Sequence, residues 1–132
     1  MADTIIEYAK AVQEMLADLD AEFSFIPEFT LADTQTRRCM VVPIGVEKKI
    51  VSRTVMEKIF RVDVAVLHKI KLAKEINQLI PTVEDVADRM LAKKFRSGVC
   101  VKAEISPLYD VNMVLQKNLF VGVISVSIKV VQ

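Results

Sequence analysis

The chain has no tryptophan, a single histidine, two cysteines and three glycines among its 132 residues, and each scarcity closes off a class of chemistry. A lone His68 rules out any site built on two or more histidines, and no spacing of Cys and His resembles a zinc site. Gly45, Gly98 and Gly122 stand far apart. A phosphate-cradling loop needs several backbone groups converging on one anion, so neither a P-loop nor a dinucleotide fingerprint is present. Cys39 and Cys100 lie in strand-like stretches and read as reduced, buried thiols of a cytoplasmic protein, with nothing that requires a disulfide. No apolar run approaches the roughly 20 residues that would span a bilayer. The opening MADTIIEYAK carries acids and no basic leader, so no signal peptide is expected.

What is present points to one folded domain over residues 1–132. Apolar residues make up 52% of the chain and charged residues 27%, a balance that excludes both a disordered and a membrane-embedded chain. The formal net charge of +1 hides an asymmetry. Residues 1–33 hold eight acids against Lys10 alone, and the rest of the chain holds 17 bases against nine acids. Such a division suits either a nucleic-acid partner or acidic and basic faces that meet between identical subunits.

Hydrophobic periodicity then sets out the elements. Thr4 and Glu7 have capping-box spacing, and Ile5, Ala9, Val12, Leu16 and Leu19 follow at helical steps, so a helix is predicted from Thr4 to Leu19 with its acids on the far face. In EFSFIPEF, Phe23 and Phe25 alternate before Pro27, which fits an edge strand or extended arm, and TLADTQTR reads as a polar loop. RRCMVVP is a short strand ended by Pro43, with Gly45 helping the chain turn. In EKKIVSRTVMEKIFRVDVAVLHKI, Phe60, Val62, Val64 and Val66 share one face, whereas the alternation blurs before Phe60. That predicts a strand whose first half leaves the body as a charged arm.

KLAKEINQLIP has weak helical character and stops at Pro81. Thr82 then caps a second helix with Glu84 and Asp85 in its first turn. The stripe Val83, Val86, Ala87, Met90, Leu91 and Phe95 faces the core, Lys93, Lys94 and Arg96 close the helix, and Ser97 and Gly98 break it. VCVKAEIS reads as a half-buried strand with Val99, Val101, Ala103 and Ile105 inward, followed by Pro107 and a loop through Asn112. LFVGVISVSIKVV is the longest strand. Phe120, Ile124, Val126, Ile128 and Val130 form one apolar face, and Leu119, Val121 and Val123 add apolar residues to the other. The order predicts an α+β fold: a mostly antiparallel sheet, two main helices on one face and an extended β-arm.

Candidate chemistry is thin. His68 shares the apolar phase of its strand and reads as structural. Cys39 as nucleophile would need His68 as its base, and the carboxylates Glu84, Asp85 and Asp88 are explained by capping and solvation as readily as by a divalent cation. No catalytic residue, metal or cofactor is expected. The bases Arg37, Arg38, Lys48, Lys49, Arg53, Lys58 and Arg61 cluster in sequence. With few aromatics beside them, base stacking is poorly supported, while phosphate contact remains open. They are the candidate subunit or partner contacts.

At ~3.3 Å per residue, a strand from Leu119 to Val131 would run about 43 Å. A domain of this size has a radius of gyration near ~14 Å, so this strand and the arm from Lys48 to Glu57 are predicted to overhang the body and complete themselves on neighbours. In its order of elements the chain resembles the tail terminator, or tail-completion, proteins of long-tailed bacteriophages. The likeness lies in the opening helix, FIPEFTLADTQTRRCMVVPI, VSRTVMEKIFRVDVAVLHKI, PTVEDVADRMLAKKF and FVGVISVSIKV. No invariant motif stands behind it.

The resemblance implies a non-enzymatic virion protein, assembled in the host cytoplasm as a homo-oligomeric ring, a hexamer. Such a ring caps the tail tube protein, halts its polymerisation and receives the head connector, while DNA passes through the lumen without sequence-specific binding and no membrane is involved. The alternatives from sequence are a connector or stopper ring of the same neck, a small nucleic-acid-binding module, and an enzyme whose site gathers His68, Cys39 or Asp63 with a partner's residues.

Overall fold

The computed structural model describes residues 4–26, 30–31, 35–92, 94–95, 98–105 and 107–131. Pro27, Ala32, Asp33 and Thr34 of TLADTQTR, and Lys93, Arg96 and Ser97, to which the sequence reading gave roles, lie outside them. The described residues form an α+β fold with α1 (Ile5–Met15), β1 (Glu22–Phe23), β2 (Arg37–Ile50), β3 (Met56–Lys69), α2 (Ile76–Ala92), β4 (Lys94–Phe95), β5 (Gly98–Ile105), α3 (Val111–Lys117) and β6 (Leu119–Val131). The six strands make one sheet in the order β1-β2-β3-β6-β5-β4. Only the β1–β2 pairing is parallel.

The helix α1 begins as the sequence predicts, with the Thr4 N–H donating to the Glu7 carboxylate at 3.3 Å. Tyr8, Ala9, Val12 and Leu16 are fully buried against the sheet, and Tyr8 stacks on Phe60 with ring centroids 4.7 Å apart. The predicted last turn tightens into a 3-10 turn at Ala17–Leu19, which Asp20 ends in the left-handed region at φ 53°. α1 and α2 share one face of the sheet, and the main core lies between them and Val62, Val64, Ile124, Val126 and Ile128. A smaller cluster on the far face joins Met40, Val42, Ala65, Leu67, Leu119 and Val121, with Leu31 and Met113 packed against it.

Both prolines read as terminators are accommodated instead. β2 runs through Pro43 to Ile50. The Val41 carbonyl accepts from the Ser24 N–H at 3.0 Å on the β1 side, so by period-two alternation the Pro43 nitrogen also faces that outer edge. β1 pairs only with Met40 and Val41, and no ladder bond is lost at Pro43. A register shift between Pro43 and Gly45 absorbs one extra residue there. Pro81 likewise lies inside α2. It sits on the exposed side, as does Asn77, whose carbonyl has no N–H of residue 81 to accept from. The predicted boundary at Thr82 is therefore not a boundary.

Three further expectations are corrected. α2 ends at Ala92, so Lys94 and Phe95 belong to a short strand rather than to the helix, and Leu91 faces solvent. In β5 a register shift between Cys100 and Lys102 flips the phase, so Cys100 points inward while Val99 and Val101 point out. The segment read as a loop holds α3, started by Asp110, whose side chain accepts from the N–H groups of Asn112 and Met113, and stopped by Asn118 at φ 52°.

β6 spans the predicted residues, and its predicted apolar face is buried. It does not overhang: each residue from Leu119 to Val131 pairs with β3, from Lys69 to Glu57. The strand of 13 residues is long because β3, of 14 residues, runs beside its whole length.

Candidate functional site

The predicted arm exists, but as a β-hairpin built from two strands rather than as the first half of one. The last residues of β2 pair with the start of β3, Lys48 with Lys58 and Ile50 with Met56. The turn closes where the Val55 N–H donates to the Ser52 carbonyl and the Val51 N–H to the Val55 carbonyl. Since β6 ends opposite Glu57, the tip formed by residues 50–56 is a two-stranded ribbon, a form with little stability of its own in water. It is unusually apolar for such a place: Ile50 is 75% exposed and Val51 57%, and Met56 is exposed beside them. Farther along the same edge Ile44 and Val46 are exposed as well.

The predicted contact residues fall into two groups. Lys48 and Lys49 lie near the end of β2, Arg53 sits in the turn and Lys58 lies near the start of β3, so residues 48–58 at this end of the hairpin carry four bases with Glu57 as their one acid. Glu57 is engaged by Lys129 at 3.5 Å. Arg61 lies nearby on the far face and pairs with Glu47 at 3.1 Å. Arg37 and Arg38 are at the other end of β2, roughly 35 Å away at ~3.3 Å per residue. There Arg38 holds Glu22 at 2.7 Å and Arg37 approaches Asp20 at 3.8 Å. These two arginines fasten the segment after α1 to the sheet, and their nearness to the hairpin is a nearness of sequence only.

Two concave places hold polar or nucleophilic side chains. On the far face a groove of about 540 Å³ is lined by Arg61, Asp63, Lys102, Glu104, Ser125 and Ser127. Burial pushes the Asp63 carboxyl up, and a hydrogen bond with Ser125 pulls it partly back. Lys102 and Glu104 pair with each other at 3.1 Å. A smaller cavity of about 210 Å³ lies at the other end of the sheet, and Cys39 and His68 both line it, so these two of the three residues suspected from sequence do come together. Asp63 is not with them. Burial, with Asp18 and Glu22 adding to it, pushes the Cys39 thiol up to about 11. A thiol kept protonated at neutral pH is a poor nucleophile. His68 places Nδ1 2.8 Å from the Lys69 carbonyl oxygen. Among the described residues no three His, Cys, Asp or Glu side chains are grouped to hold a metal ion, and no helix is long and apolar enough to cross a membrane.

The acidic half of the charge division is also redistributed. α1 and α2 are tied together by Arg89, which reaches Asp18 at 2.7 Å and Asp85 at 2.9 Å. Glu7 and Glu14 on α1 and Glu84 and Asp88 on α2 are exposed. The acidic surface is thus the outer side of both helices, which sequence reasoning assigned to the N-terminal third alone. The signal for α2 lies in Glu84, Asp85 and Asp88, which the sequence reading assigns to capping and solvation, with a divalent cation as the alternative.

No protein-family model matches the chain, and no curated protein sequence matches it. Among solved structures it is similar to a sheath/tube terminator in the extended state from the extracellular contractile injection system PVC, at 14% identity and a TM-score of 0.47. That comparison covers 100% of this chain and 58% of the other. A likeness of that size carries no functional argument by itself.

Proposed function

We propose that this protein is a structural subunit of a ring at the head-proximal end of a phage tail tube, where it ends tube polymerisation and joins the tail to the head. One observation carries the reading: the hairpin tip exposes Ile50, Val51 and Met56 among four bases, on a ribbon that no other described strand supports. Exposed apolar surface of this kind, rimmed by charge, belongs to a protein that completes itself on other subunits. The order of elements that resembles tail terminators supports the particular assignment. The partners are then further copies of this chain, the tail tube protein and the head connector, with DNA passing through the lumen by phosphate contact alone. The protein acts by assembly rather than by catalysis.

The test is the mass of the purified protein by light scattering, with negative-stain imaging of the main species. Rings of about six subunits that stop the elongation of tail tubes support the assignment. Rings that bind the head connector and ignore tubes would move it to the stopper position of the same neck. A monomer that ignores both would sink the reading and bring forward the salt dependence of DNA binding.

A further inference from the structure

We propose that the hairpin of one copy docks on the acidic outer surface of α1 and α2 in a second copy. The inference rests on the ring reading and names the contact that would build the ring. The donor is the tip around Lys48, Arg53 and Lys58, with exposed Ile50 and Val51. The acceptor is the helix layer, where Glu7, Glu14, Glu84 and Asp88 are exposed against Lys10, and where Leu91 offers an apolar contact.

Charge complementarity selects this occupant. Among the described residues, the other acids of the first third are engaged within the subunit: Asp18 is held by Arg89, Glu22 by Arg38, and Asp20 is approached by Arg37. Arg89, which also holds Asp85, is the only base in α2. The helix layer therefore keeps an excess of carboxylates, and the hairpin keeps an excess of bases. Among the described residues, neither excess is neutralised within the subunit. The two surfaces are different places on one subunit, so the contact is heterologous: each copy offers a hairpin to one neighbour and a helix layer to the other. Contacts of that type close into rings when the rotation between copies permits. A duplex phosphate backbone is the competing occupant of the bases, but it gives the exposed Ile50 and Val51 nothing to pack on.

Charge exchange tests it. Lys48→Glu with Arg53→Glu reverses the donor, Glu84→Lys with Asp88→Lys reverses the acceptor, and a third chain carries all four changes. These side chains are exposed, and circular dichroism confirms folding for each. The expected result is assembly weakened at least about tenfold in either double variant, since like charges then face each other, and recovered in the fourfold variant, read as mass by light scattering. Either double variant assembling like the wild type overturns the contact, and so does a fourfold variant that stays dissociated. If rings persist throughout, the ring reading stands and only this contact fails. A wild-type chain that stays monomeric with and without tubes overturns both. Loss of DNA binding in the first variant, with assembly unchanged, would give the bases to phosphate and remove the second copy as their partner.

Discussion

β2 and β3 are paired from end to end, yet their two ends live in different surroundings. At one end Cys39, Val41, Val64 and Val66 are covered by the helices, and Met40, Val42, Ala65 and Leu67 are buried on the opposite face. At the other end the same two strands carry Val46, Ile50 and Met56 into solvent. The backbone pairing is continuous across this divide. What changes is the number of layers packed on the ladder, so strand pairing serves folding at one end and is free to serve assembly at the other.

The largest contrast comes from placing the same charge at each end. Val121→Asp would bury a carboxylate beside Leu67 and Met40 without a partner, and is expected to cost about 4 kcal/mol or more, enough to abolish folding. Ile50→Asp at the tip should change monomer stability by no more than about 0.5 kcal/mol and weaken assembly. Chemical denaturation and light scattering read both. If Ile50→Asp unfolds the monomer, the hairpin belongs to the core and the comparison fails.

The glycines sharpen the contrast at smaller scale. A Cβ on Gly98 would stand 2.8 Å from Cγ2 of Ile128 and 3.0 Å from the Tyr8 ring, whereas a Cβ on Gly45 would meet nothing within 4 Å. Gly98→Ala is expected to cost about 1–3 kcal/mol through overpacking, and Gly45→Ala, on the edge near the hairpin, to be neutral or stabilising by less than about 1 kcal/mol. Equal losses at both would mean that the outer edge is as tightly packed as the body.

Cys39 probes the buried end by reactivity. With its thiol pushed up to about 11, the thiolate fraction at pH 8 is reduced, and burial adds steric protection. Alkylation of Cys39 in the native chain should run roughly a hundredfold slower than that of free cysteine. Fast, selective alkylation would return the cavity shared with His68 to consideration as a site of chemistry.

How much of this was legible before the structure depends on what each residue's neighbours do. β6 could be read to the residue because period two is unbroken from Leu119 to Val131. The α1 start was legible in Thr4 and Glu7, since a cap is a local device. Pro43 and Pro81 misled for one reason: a proline stops an element only where its missing N–H would have been used, and an open sheet edge and an exposed helical turn do not use it. The phase of β5 was lost at a bulge, where one extra residue moves Val99 and Val101 to the other face. α3 left a signal that was passed over, Asp110 before the helix and Asn118 after it, because its seven residues carry too little apolar periodicity to be seen alone. Of the candidate contacts, the four at the hairpin share one tip, while Arg37 and Arg38 were grouped with them by sequence and separated by the length of a strand.

The smallest expected effect lies between the two helices. Arg89 donates to Asp18 and Asp85, and its hydrogen bond holds the Asp18 carboxyl below its ordinary value of 3.8, against a weaker opposing push from burial. A carboxyl depressed in the folded state adds stability above its unfolded pKa and loses it as pH falls through the folded one. Both carboxylates are more than half exposed and Arg89 is one-third exposed, a setting in which ion pairs contribute little and salt screens them. Arg89→Ala should therefore lower the melting temperature slightly at pH 6 and low salt. The difference should shrink as pH drops below the depressed Asp18 value, and shrink again at 1 M salt. Assembly should respond in the opposite sense, because removing the base leaves Asp18 and Asp85 unpaired on the helix layer and makes it more acidic. A variant that melts lower and assembles more tightly would separate the two uses of charge that the hairpin comparison implies: pairing within the subunit for stability, excess on its surface for partners. A variant that melts lower and assembles more weakly would tie both to the single ion pair and remove that distinction.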